Sequence, residues 1–149
     1  MTTLFAVLHH LAVLTLLVCT LLTIRQLGQP FTVPGARLLR KADMVAGIAA
    51  TLVLLVGLVR VFYLEKGFAY YFQNGPFLTK LGFYGLASLL SVISLVELHR
   101  WRMPLKSGLL PALSTNKLST LRTVAVLQLA CLAAMAMCAN LAAHGNDWG

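Results

Sequence analysis

At 149 residues, with 59% hydrophobic residues, 11% charged residues and a mean hydropathy of +0.84, this chain lies far from soluble domains, in which about a quarter of residues are charged. The formal net charge of +8 would suggest a nucleic-acid partner in a soluble protein, but here the basic residues flank apolar runs, as topogenic signals do, so nucleic acid is excluded as a partner. No nucleophile elbow, Walker loop, HExxH or paired-carboxylate pattern occurs, which argues against a hydrolase or a nucleotide-driven pump.

The expected architecture is all-α: an integral membrane four-helix bundle forming a single domain over residues 1–149. Span 1 is expected at about 3–27. Its LFAVLHHLAVLTLLVCTLLTI run lacks a positive n-region and a small-residue cleavage site, so it reads as a retained span and not as a signal peptide. The loop LGQPFTVPGARLLRKAD follows, with Pro and Gly punctuation and a basic cluster of Arg37, Arg40 and Lys41. Leu38 and Leu39 among those cations suggest a short amphipathic turn on the headgroups. Span 2 is expected at about 42–64, with Asp43 in its first turn and small residues at Ala46, Gly47, Ala49, Ala50 and Gly57 that let a neighbour approach.

The stretch RVFYLEKGFAYYFQNGPFLTK then turns the chain. Nine of the thirteen aromatic residues lie between Phe62 and Tyr84. Span 3, at about 76–101, starts with Pro76 in its first turn and carries Gly82, Gly85, Ala87, Ser88, Ser91 and Ser94, a small and weakly polar stripe that suggests a central position in the bundle. The basic, Pro-broken RWRMPLKSGLLPALSTNK leads to span 4, at about 119–143, whose polar members are Gln128 and Asn140. Cys19, Cys131 and Cys138 all lie in apolar runs without ligand spacing and read as buried small hydrophobes.

Charge sets the orientation. Arg25, Arg37, Arg40, Lys41, Arg100, Arg102, Lys106, Lys117 and Arg122 flank the first and third loops, against Arg60, Lys66 and Lys80 on the other side. The positive-inside rule then places both termini on the external, periplasmic side of the expected location, a bacterial inner (cytoplasmic) membrane that the chain crosses several times.

Spacing along the helices brings His9, His10, Arg60 and Lys80 to roughly 6–10 Å below the external boundary, where ionisable groups are functional candidates. Two readings compete for them. Arg60 and Lys80 can snorkel and the aromatic cluster can be an interface belt. Alternatively the aromatics form a stacking surface for a flat cofactor, with His ligating a porphyrin iron and the cations meeting its propionates. His9 and His10 are about 100° apart on a helix, so one faces inward and the other does not. His144 is a candidate second ligand, Glu97 a partner for Arg100 or Arg122, and Met135, Met137 and Cys138 a soft-metal set on paper whose members fall on different helix faces.

The early HH, the RLLRKAD segment, GLVRVFYLEKGFAYYFQNGPFLTKLGFY and the RWR end of span 3 together resemble a bacterial family of four-helix membrane proteins catalogued as domain of unknown function 2214. More distantly, the layout is similar to HemJ-type protoporphyrinogen oxidases and CopD-like membrane proteins. The HemJ resemblance implies haem b ligation by a His of the first span and a Lys in an aromatic-x-x-Lys-Leu segment, here His10 and Lys80 of FLTKL.

Two functions follow as expectations. One is a haem- or porphyrin-binding, or haem-linked redox, membrane protein with an external-side site of His10, Arg60, Tyr63, Lys80 and Tyr84, and His9 or His10 on the metal. The other is a small accessory subunit, packing in the lipid bilayer as a homo-oligomer or within a larger membrane complex. Transport of a metal or small solute is a third.

Overall fold

The computed structural model describes residues 2–59, 62–63, 69, 72–73 and 75–143. Helix α1 spans Thr2–Leu27, α2 Val33–Val59, α3 Gly75–Arg100, α4 Arg102–Lys106 and α5 Thr115–Ala143. The four long helices have 26, 27, 26 and 29 residues, or roughly 39–44 Å at 1.5 Å per residue, against a hydrocarbon thickness of about 30 Å. All four are long and apolar enough to cross a membrane.

Two helices start earlier than their apolar runs. Thr32 caps α2: its hydroxyl accepts from the Gly35 N–H at 3.2 Å, and its carbonyl from the Ala36 N–H at 2.9 Å. With Pro34 preset for a first turn, the helix begins at Val33 and absorbs the basic segment RLLRKAD. Asp43 therefore lies ten residues into α2 and not in its first turn. Ser114 does the same for α5, accepting from the Lys117 N–H at 3.3 Å, so that helix begins at Thr115. Of the two leucines expected on headgroups, Leu38 is 41% exposed, but Leu39 is buried at 1% exposed, beside Ala36 at 0%.

The helices form a ring. α1 packs chiefly on α2 and α3 chiefly on α5, α1 also meets α5, and α2 meets α3 along a thinner seam. Among the described residues no contact joins α1 to α3 or α2 to α5. Where the helices meet, the buried residues are mostly small: Ala12, Cys19 and Thr20 on α1, Ala49 on α2, Ser94 on α3, Ala125 and Cys131 on α5. That is how membrane helices gain contact when lipid is as apolar as leucine. All three cysteines are buried and unbridged.

The best-packed region sits at one end. Ala36, Leu39, Leu98, Trp101, Leu105 and Leu121 form a cluster, with Leu27, Phe31, Val33 and Leu113 packed against it. It joins the α1–α2 loop to the α3–α5 connection. Trp101, 2% exposed, meets Phe31 edge to face with centroids 5.4 Å apart. The Arg37 guanidinium donates to the Leu105 carbonyl at 3.0 Å, satisfying an acceptor at the end of α4. The chain leaves α4 through Gly108 at φ +72°, a left-handed conformation that suits glycine, and the Leu109 N–H donates to the Pro104 carbonyl at 3.0 Å.

The small and polar stripe expected on span 3 divides between two faces. Ala87, Ser91 and Ser94 turn inward, while Gly82, Gly85 and Ser88 are exposed. The residues at 84, 87, 91, 94 and 98 keep the spacing of a bundle seam, and the glycines fall outside it. α3 is therefore not a central helix surrounded by its neighbours but one side of a ring.

Candidate functional site

The expected external site is built on the first three turns of α1 and α3. His9 and His10 point in different directions, as their 100° offset requires. His9 is half-buried and faces α2, where its Cε1 would lie 3.8 Å from a Cβ at Gly57; its Nδ1 is buried. His10 is exposed among Ala6, Val7, Leu11 and Leu14 on the outer face of α1. Its Nδ1 donates to the Ala6 carbonyl at 2.6 Å, which leaves Nε2 as the acceptor nitrogen. The two imidazoles meet edge to face at 6.0 Å.

Tyr84 leaves α3 toward α2 and donates its hydroxyl to the Ala50 carbonyl at 2.6 Å. Ala50 is seven residues from Gly57 along α2, about 10 Å, so Tyr84 and His9 work at different depths. Lys80 is half-buried on α3, and Tyr63 is 82% exposed. Arg60, together with Glu65, Lys66, Phe68, Tyr70, Tyr71 and His144, lies outside the described residues. His10 and Lys80 stand on α1 and α3, which do not touch among the described residues, and His10 faces away from the bundle.

Below Tyr84, one heptad along α3, lies a second polar contact. The Gln128 amide of α5 donates to the Ser91 hydroxyl at 2.7 Å, and Ser91 donates in turn to the Ala87 carbonyl at 2.9 Å. This pair engages Gln128, one of the two polar residues expected in the fourth span; the other, Asn140, is exposed. The sulfur set divides as its spacing implies: Cys138 is buried, whereas Met137 is 67% exposed. Among the described residues no group of three or more His, Cys, Asp or Glu side chains is placed to hold a metal ion.

Among the described residues the densest polar cluster is at the other end. Glu97, near the end of α3, holds the Lys117 ammonium at 3.1 Å and the Arg100 guanidinium at 3.9 Å, and accepts from the Trp101 indole N–H at 3.5 Å. The carboxylate thus pairs with Arg100 as expected, but its closer partner is Lys117 and not Arg122. The sequence signal was the Ser114 cap, which adds a turn to α5 and brings Lys117 level with Glu97.

The chain belongs to a family described as "Predicted membrane protein (DUF2214)", whose sequence profile matches residues 1–146. No curated protein and no solved structure matches it.

Proposed function

We propose that this member of the family is a small structural subunit of a membrane assembly, which joins copies of itself or a larger membrane complex through the outer faces of α2 and α3. The observation that carries this reading is the placement of three glycines. A Cβ at Gly47, Gly82 or Gly85 would meet nothing within 4 Å, and all three lie on exposed helix faces. Glycine in a helix costs about 1 kcal/mol relative to alanine, and among the described residues no contact offsets that at these positions. Close approach of another helix does, because a missing side chain lets two backbones meet. The assembly belongs to a bacterial inner membrane, with the basic end cytoplasmic and both termini external, in keeping with the charge asymmetry.

Light scattering of the protein in mild detergent, together with cross-linking in native membranes, tests this. An oligomer or a stoichiometric partner is expected, lost in Gly82→Leu/Gly85→Leu; a monodisperse monomer with no co-purifying subunit would overturn it.

A second reading places a haem or related porphyrin near the external face. What favours it is the inward aim of His9 against Gly57, which moves the ligand from His10 to its neighbour. A Soret band in the purified protein, lost in His9→Ala, is its test.

A further inference from the structure

Between α3 and α5, at the basic end, a shallow groove of about 470 Å³ opens toward the lipid side. Val92, Ile93, Val96 and Leu121 form its apolar walls, and Glu97 and Lys117 its polar rim. Val92, Ile93 and Val96 are each about half exposed, at 53%, 48% and 49%, so the groove is a surface and not part of the packed core. The walls lie toward the membrane centre along α3, and the rim follows one turn later, beside the exposed cations Arg100 and Arg102, a residue type that marks a headgroup boundary. One side of the groove is therefore matched to hydrocarbon and one end to a polar headgroup.

The charge at the rim decides which headgroup. Glu97 supplies one negative charge against two cations, Lys117 at 3.1 Å and Arg100 at 3.9 Å. One positive charge remains uncompensated. The Lys117 side chain is 48% exposed and that of Arg100 69%, so both keep donors available at the membrane surface. Asn116 and Thr120 line the same rim with neutral polar groups. The Glu97 side chain, 18% exposed, fixes Lys117 in place from below, in the way a buried carboxylate orients a cation that binds elsewhere.

We propose that this groove binds one anionic phospholipid. An acyl chain lies along Val92, Ile93, Val96 and Leu121, and the phosphodiester sits on Lys117 and Arg100, with the Asn116 amide as a further donor. The net charge of the rim matches a headgroup with a single negative charge. A choline headgroup brings its own cation to a positive rim and is disfavoured. Basic pockets between membrane helices select anionic lipids for this reason. The groove lies about 10 Å along α3 from Gly85, taking Val92 as its nearest wall, so it does not depend on assembly through the glycine faces.

The test is native mass spectrometry of the full chain released from micelles containing equal amounts of dioleoylphosphatidylglycerol and dioleoylphosphatidylcholine. The native protein is expected to retain the glycerol lipid about five-fold over the choline lipid, the effect of roughly one cation near a membrane surface. Lys117→Gln abolishes that preference. Lys41→Gln, which removes an exposed cation of α2 at the same end, leaves it unchanged. Val96→Trp fills the walls without altering charge and lowers retention of both lipids, which keeps the proposal testable should Lys117→Gln fold poorly. Equal retention of the two lipids by the native protein would overturn the assignment. So would an equal loss in Lys41→Gln and Lys117→Gln, which would mean a diffuse basic surface, or a disulfide dimer of Ile93→Cys showing that a second copy covers the groove.

Discussion

The carboxylate of Glu97 on α3 holds the ammonium of Lys117 on α5 at 3.1 Å, fastening the end of one helix to the start of the next across the connection that carries α4. Exposed ion pairs contribute about 0.2–1 kcal/mol, and removing one partner of a more buried pair costs more. Glu97 also accepts from Trp101 and approaches Arg100, so it is the hub. Glu97→Ala is expected to lower the midpoint of thermal unfolding in detergent more than Lys117→Ala does. Equal effects would show that the Trp101 and Arg100 contacts add nothing.

Trp101 and Phe31 join the two loops at the same end. Truncating a fully buried large aromatic costs about 3–5 kcal/mol. Trp101→Ala should therefore be the most destabilising single substitution in this cluster, ahead of Arg37→Ala, which removes one hydrogen bond to the Leu105 carbonyl. Thermal unfolding followed by circular dichroism ranks the two, and the reverse order would mean that the loops are held by the guanidinium and not by packing.

Tyr84 is the polar tie across the thinner α2–α3 seam. Its acceptor, the Ala50 carbonyl, sits within a helix, so losing the hydroxyl leaves no buried group stranded on α2. Tyr84→Phe is expected to cost about 0.6 kcal/mol, the average for side-chain hydrogen bonds between membrane helices. A cost above about 2 kcal/mol would mean that the hydroxyl serves a further partner.

Glycines on the two sides of α2 should behave differently. At Gly57 an added methyl would meet His9 at 3.8 Å, an ordinary contact, whereas a larger side chain must push α1 away. Gly57→Ala is expected to be tolerated and Gly57→Leu to destabilise the monomer by about 1–3 kcal/mol through overpacking. Gly47→Leu, into open space, should leave the monomer intact and act only on assembly. Unfolding midpoints and particle mass, measured on the same samples, separate the two.

For the histidines, any Soret band acquired by protein made in haem-supplied cells should vanish in His9→Ala and persist in His10→Ala. The opposite result would restore His10 as the ligand and require a second chain or a rotated α1.

Much of this was legible beforehand, and the failures have a common cause. Apolar runs located all four long helices, but the run does not mark where a helix begins when a hydroxyl caps it earlier. Thr32 adds about two and a half turns to α2 and Ser114 about one to α5, and those turns carry Ala36 and Leu39 into the best-packed cluster and Lys117 to Glu97. The small residues of span 3 looked like a single stripe because glycine and serine are similar in size; their azimuths differ, so Ser91 and Ser94 entered the seam while Gly82, Gly85 and Ser88 faced out. Spacing showed that His9 and His10 must diverge, yet not which of them would turn inward.

The sequence by itself determined the membrane class, the number of spans and the gathering of nine cations at one end, because hydropathy and charge act on each segment separately against the bilayer. Only the tertiary structure decided that α1 and α3 stand apart on a ring, that His9 and not His10 meets α2, and that Glu97 takes Lys117. Those outcomes depend on the rotation of each helix about its own axis, which is set by the sum of many small contacts with neighbours and leaves no mark in any one segment.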